Sequence, residues 1–324
     1  MTVDLEGFKV TLATRDDAAS ILGLINFVQP GIPWTEKHLN WQFFDTPSGP
    51  SILYLIRNSR GKLVSLYSAV SQQIRVAGRN IPARMIQDVM THPESRGKGF
   101  LHHLAELCLQ DLKSSGTVGY TFPNERSEKS FRRTGWNELC AVPWRIKQLE
   151  LAGVPSNRSV PGKLEIEALK APFGKEATRI WDESGLAVGV NRDAAYLNWR
   201  YSKPNANYFR FMVDGDCGIL VLKLYSEGQR RTLHICDLLV KASHRSLVPQ
   251  VLDFCNQFAG TNAAKTLTAW LPKGHAYAAA FDDKGLGMRE GTTRYVFVCP
   301  VKEYASELAD SQLWHLSQGD SDVY

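Results

Sequence analysis

One stretch constrains this chain more than any other: Gln87-Asp88-Val89-Met90-Thr91-His92-Pro93-Glu94-Ser95-Arg96-Gly97-Lys98-Gly99-Phe100-Leu101. Ile81 to Met90 reads as a strand, and a polar turn follows it. From Leu101 onward the apolar residues Leu104, Ala105, Cys108 and Leu112 recur at helical spacing. A strand therefore feeds a glycine loop and then a helix. Gly97 and Gly99 let the backbone approach a ligand with no Cβ between, and the first amides of a helix have no partner within it. Arg96 and Lys98 add positive charge, so a pyrophosphate suits the site. The pattern GxxxxGK[ST] is absent, which excludes an ATP-type phosphate loop, and Phe100 to His103 supply no third glycine for a GxGxxG dinucleotide loop. For these few residues alone, a turn with a basic surface is the plainer alternative.

The remaining pattern is that of a mixed α/β protein. Phe8–Leu12, Ile52–Ile56, Leu63–Val70 and Val118–Phe122 read as strands, while 13–28 and Ser127–Thr134 read as helical. With 324 residues there is room for two domains, and the proline-bearing segment 151–163 is the best linker. Lys plus Arg exceed Asp plus Glu by 38 − 33 = 5, too small an excess to argue for nucleic acid. No apolar run is long enough to span a bilayer, and the opening residues carry no apolar leader, so a cytoplasmic protein without membrane insertion is expected. The six cysteines form no metal-ligand spacing, and buried reduced thiols are expected.

The second half repeats the first weakly. Asn40-Trp41 returns as Asn198-Trp199, Asp88 as Asp237, Phe122-Pro123 as Leu271-Pro272, and Gly135 as Gly285, the last three at offsets of 149 to 150. A duplicated domain is expected. The same offset lays Arg245-Ser246-Leu247-Val248 over the phosphate loop, where both glycines are lost. The second domain is therefore expected to keep the fold without binding the ligand, giving one active site per chain.

Val89 to Leu104 resembles the acyl-CoA motif of the GNAT superfamily of N-acyltransferases, in which a strand leads into [QR]xxGx[GA] and a helix; Arg96 and Gly99 match, and Leu101 replaces the usual small residue. A second signature follows at the family's spacing, from Asn124 through Ser127 and Phe131 to Gly135-Trp136, resembling NxxAxxxYxxxGF. The resemblance implies an α/β (α+β) chain of two GNAT-like domains, each a central mixed sheet flanked by helices, the second degenerate. Domain limits of 1–150 and 164–305 follow, with a partly disordered tail over 306–324. By resemblance, the arm of acyl-CoA (acetyl-CoA or a short hydroxyacyl-CoA, with no metal) enters beside the strand ending at Thr91. It would bond Val89 and Thr91, its pyrophosphate would lie on the amides of Gly97, Lys98, Gly99, Phe100 and Leu101 beside Arg96, and Asn124 and Phe131 would border it.

Amine acylation needs a neutral amine, a stabilised oxyanion and a proton for the leaving thiolate. The amide near Met90 is the donor the resemblance implies. Asp88 is the first candidate base, at a position where related sequences often have glycine; a structural Asp is the alternative. The family's usual tyrosine proton donor is replaced by Phe131, which leaves Tyr120 as a substitute. His92 reads as a positional feature of the motif. Acceptor candidates are Trp34, Trp41 and Asp237, with His234 beside the last; core roles are the alternative for each. Tandem proteins with an intact first half resemble, among others, acyltransferases of nucleotide-linked (dTDP) amino sugars used in surface polysaccharide. That acceptor is the first reading, with direct attack through a tetrahedral intermediate. An antibiotic or peptide amine, or a silent acyl-CoA sensor, is the alternative; oligomeric state is not fixed by the sequence.

Overall fold

The computed structural model describes residues 3–5, 7–31, 33–142, 144–149, 164–289, 295–299, 301–321 and 323–324. The expected linker lies outside these. Two mixed sheets flanked by helices make up the fold, nine strands in the first and seven in the second among the described residues. In the first sheet the order runs Val3–Leu5, Phe8–Leu12, Ile52–Arg57, Leu63–Val76, Arg79–Thr91, Val118–Thr121, Tyr295–Cys299 and Asn137–Ala141, with Val188–Val190 on the far end of Leu63–Val76. Two of these strands outrun their expected lengths because Ala77 and Gly78, both at positive φ, close a hairpin between them.

The second sheet repeats this order: Ile166–Ala168, Tyr208–Val213, Gly218–Glu227, Arg230–Val240, Thr266–Trp270, Trp144–Gln148 and Gly287–Met288. In both, one parallel pair sits in an otherwise antiparallel sheet, Arg79–Thr91 with Val118–Thr121 and Arg230–Val240 with Thr266–Trp270. The two halves also exchange a strand. Trp144–Gln148 lies in the second sheet, and Tyr295–Cys299 fills the matching slot of the first. Sheet membership thus crosses the expected boundary at 150, because each strand finds its hydrogen-bonding partners across the repeat.

Helix Phe100–Ser114 covers one face of the first sheet, burying Phe100, Leu104, Ala105, Cys108 and Leu112 with Tyr67, Phe131 and Trp136. Helix Val248–Thr261 covers the corresponding face of the second with Val248, Val251, Leu252 and Cys255. The opposite faces share one core with helix Ala18–Val28 and the C-terminal segment. That segment is the clearest departure from expectation. Trp314 to Ser321 are buried rather than disordered, because Arg192 and Arg200 hold them from inside the protein. Arg192 Nη2 donates to Ser317 Oγ at 2.9 Å and to Asp320 Oδ1 at 2.7 Å. Arg200 donates to the carbonyls of Gly319 and Ser321 at 2.7 and 2.6 Å.

Candidate active site

The parallel pairing in the first sheet stops at Ile86 and Thr121, where Thr121 Oγ1 donates to the Ile86 carbonyl at 2.9 Å. Gln87 to Thr91 run on without that neighbour, still paired on their other edge with Leu63–Val76. The strands therefore fork, and a cavity of about 700 Å³ opens along the free edge, from Met85 to the glycine loop and across to Phe131.

Within the fork the ladder carries a bulge. Leu66 pairs with Met90 and Ser68 with Gln87, so Asp88 and Val89 together oppose Tyr67. Asp88 sits at φ +49°, a left-handed conformation in which glycine is easiest and a short polar side chain is tolerated. Asp88 meets that requirement and lines the cavity wall.

The alternation of the strand decides which amides are available. His92 N–H donates to the Val64 carbonyl at 2.8 Å, and the Met90 carbonyl accepts Ser65 Oγ at 3.0 Å. Met90 and His92 thus face the ladder, and Val89 and Thr91, one residue out of phase, face the fork. Met90, the expected oxyanion donor, thus turns its backbone to the ladder, and the Val89 amide at the bulge lies on the open edge. The Thr91 carbonyl accepts Arg96 Nε at 3.3 Å, which ties the loop to the strand end.

Gly97 and Gly99 have φ of +79° and +73°, and a Cβ built on either would meet nothing within 4 Å of protein. The glycines are therefore required by conformation, and the space beside them is open. Helix Phe100–Ser114 starts directly at Gly99 and points its free amides there. Lys98 has its Nζ 4.9 Å from the Phe8 ring centre. Across the cavity, Asn124 Oδ1 accepts the Ser127 amide at 3.1 Å at the start of helix Glu125–Arg133, and Phe131 is buried on its inner side. Lys129 and Arg133 are exposed outside the cavity.

Other expected site residues are placed elsewhere. Tyr120 is buried with its hydroxyl donating to Gln72 Oε1, outside the cavity lining, and burial pushes its ionisation well above the usual tyrosine range. Trp41 is buried against Trp199. Trp34 is half-buried, stacked 4.2 Å from His38 and bonded through its backbone to Asn26. Neither tryptophan lines the cavity. Asp237 is 1% exposed, bonded by Arg192 Nε at 3.0 Å to both oxygens and by the Tyr201 hydroxyl at 3.0 Å. It holds the core together and does not face an acceptor. His234 is buried, its Nδ1 2.7 Å from Thr268 Oγ1, and burial with the Lys223 charge lowers its pKa to about 4. His92 is buried under the Phe27 ring, 4.5 Å away.

The second sheet forks at the same place, after Ile235 and Ala269, with a bulge at Cys236. Its glycine loop is replaced by a 3-10 turn over Ala242–Leu247 that runs straight into the next helix. The fork edge is also closed from within. Val240, which the 149 offset lays on Thr91, gives its amide to the Tyr277 hydroxyl at 3.0 Å and receives that hydroxyl's proton on its carbonyl at 3.1 Å. Tyr277 and Arg192 carry no sequence motif; their roles follow only from where the fold places them.

The residues of the first fork fit an acyl-CoA: outward amides at Val89 and Thr91, an open glycine cradle at a helix start, and a cavity joining them. The comparisons agree. Residues 13–139 match the family described as acetyltransferase (GNAT) domain. A probable N-acyltransferase from Enterococcus faecalis V583 is similar in structure, with a TM-score of 0.68 and 15% identity over 91% of this chain and 73% of that one. N-myristoyltransferase from Saccharomyces cerevisiae with bound myristoyl-CoA has a TM-score of 0.58 and 12% identity over 91% of this chain and 83% of that one. The glucosamine N-acetyltransferase region of a fungal multi-domain β-N-acetylglucosaminidase has a TM-score of 0.60 and 13% identity over 92% of this chain and 38% of that one. No match was found among curated proteins. The fold and the site define an acyl-CoA-dependent N-acyltransferase. Among the described residues no helix is long and apolar enough to cross a membrane, and no group of three metal-ligating side chains gathers.

Proposed function

We propose that this chain transfers an acetyl or short hydroxyacyl group from acyl-CoA to the primary amine of an amino sugar, a nucleotide-linked one first. The observation that carries the transfer is the contrast between the forks: the first keeps a glycine loop and outward amides, while the second is closed by Tyr277. The amino-sugar class is supported by the likeness to the glucosamine N-acetyltransferase region, and the diphosphate of a nucleotide sugar by the basic balance of the chain.

The amides of Gly97 to Leu101 hold the pyrophosphate, and the backbone of Val89 and Thr91 aligns the arm as an added strand. The Val89 amide, held rigid by the bulge, stabilises negative charge on the acyl oxygen. Asp88, on the same bulge, accepts a proton from the attacking amine. One domain alone binds the donor, and the other walls the acceptor side.

Titration calorimetry with CoA, followed by acyl transfer from acetyl-CoA to a panel of dTDP-amino sugars, glucosamine and a peptide amine, tests this. One CoA site per chain and turnover confined to amino sugars is expected. No CoA binding overturns the transferase reading; CoA binding with turnover only on the peptide amine overturns the acceptor.

A further inference from the structure

The cavity at the first fork passes through the sheet. Ile86, Phe100 and Phe131 line it from the core under helix Phe100–Ser114, and Val28, Met85 and Phe122 from the core under helix Ala18–Val28. The glycine loop opens the first of these helices, so a CoA held there fills that side and an amine reaches the thioester from the other. Gln87 stands on that other side. It alternates with Ile86 along the strand and so shares the face of Met85, while its carbonyl accepts Ser68 Oγ in the ladder. The residue is 8% exposed. Its side-chain amide makes no hydrogen bond with any described residue, and neither amide atom is sealed off: both keep contact with the open space of the cavity. Buried amides are nearly always partnered, so one left open in a cavity marks where polar atoms of a ligand belong. The buried threonines of the same wall are engaged instead, Thr91 with Ser65 at 2.9 Å, Thr121 with the Ile86 carbonyl at 2.9 Å and Thr134 with the Phe131 carbonyl at 3.1 Å.

Resting on the transferase and amino-sugar readings above, we propose that Gln87 recognises the acceptor as an amine with a hydroxyl on the neighbouring carbon. An amide side chain carries one acceptor oxygen and two donor hydrogens. A primary amine beside a hydroxyl presents the complement. Gln87 Oε1 accepts one amine N–H and Nε2 donates to the hydroxyl oxygen, while the adjoining Asp88 takes the proton that attack releases from the nitrogen. The two bonds fix the rotation of the acceptor and turn the nitrogen lone pair to the thioester carbon. An amine with no such hydroxyl leaves Nε2 unpaired in the wall and is selected against.

The test takes the fastest acceptor among the dTDP-amino sugars and glucosamine, and its analogue with hydrogen in place of the hydroxyl beside the amine. The unaltered protein is expected to prefer the hydroxyl form at least about tenfold in kcat/KM. Gln87→Met keeps the bulk and removes the amide, and is expected to bring that preference within about twofold. Calorimetry should find CoA affinity in the variant within about twofold of the unaltered protein, which also reports that it is folded. No preference in the unaltered protein, or a preference that Gln87→Met retains, overturns the role of Gln87 and leaves the transferase reading standing. A loss of CoA affinity in Gln87→Met puts the amide to work on the donor and overturns it as well. Failure of the unaltered protein to acylate any amino sugar overturns the acceptor reading and this proposal with it.

Discussion

Trp41 and Trp199 hold each other. Each indole Nε1 donates to the other residue's backbone carbonyl, at 2.7 and 2.8 Å, and the rings stack 5.1 Å apart. Such reciprocity, in which one residue does to its counterpart what the counterpart does to it, is the mark of a contact across a two-fold axis. The exchanged strands obey it too: Trp144–Gln148 enters the second sheet where Tyr295–Cys299 enters the first. Two halves related like the subunits of a dimer explain why one fork can degenerate while its sheet persists.

The clasp gives the first prediction. Trp41→Ala removes a buried ring and leaves the Trp199 carbonyl without its indole donor, so a loss of about 3–5 kcal/mol in stability is expected from urea unfolding. In a double-mutant cycle with Trp199→Ala the two losses should fall well short of adding. Full additivity would show that the rings do not couple.

Much of this was legible in the sequence, and the reasons differ by residue. Gly97, Gly99 and Gly135 announce themselves because positive φ restricts the residue type, and all three have it. The helix after Gly99 follows from one apolar face. Trp41 and Asp237 stand out as landmarks of the repeat yet lie buried in the core, since sequence shows that a residue recurs and not which way it points. The strand exchange, the buried tail and the Asp88 bulge were illegible for a common reason. Each depends on partners more than 100 residues away or on a one-residue change of phase at a bulge.

The glycine cradle makes the second prediction. Valine at 99 must adopt a left-handed conformation that costs roughly 1–2 kcal/mol, and its side chain would fill the cradle. Gly99→Val should lower CoA affinity at least about tenfold by calorimetry. In the other fork, Tyr277→Phe frees both polar groups of Val240 and should cost about 1–3 kcal/mol without creating a second CoA site. A stoichiometry of two in that variant would show that Tyr277 alone closes the fork.

Asp88 carries two separable roles, one in its backbone and one in its carboxylate. Asp88→Asn keeps a residue that tolerates φ +49° and removes the base, so turnover should fall at least about tenfold with CoA affinity unchanged. Asp88→Gly keeps the bulge and removes the same base, and should match it. Unchanged turnover in both variants would leave Asp88 as a bulge former only.

The last prediction concerns pH and the buried tail. Burial opposes ionisation of Asp237, but the charge of Arg192 and the hydrogen bond from His315 outweigh it and hold the carboxyl at about 2. A carboxyl lowered on folding adds stability above its unfolded value near 3.8 and loses it as pH falls toward 2. A shift of this size corresponds to about 2 kcal/mol. Thermal melts should therefore be flat in this contribution from pH 7 down to about 4 and decline below it. Asp237→Asn should lose about 3–5 kcal/mol at pH 7, because among the described residues Arg192 then keeps only Asp320 as a buried counter-charge, and should flatten the acid decline. An acid decline of the same size in Asp237→Asn would assign it to other carboxylates.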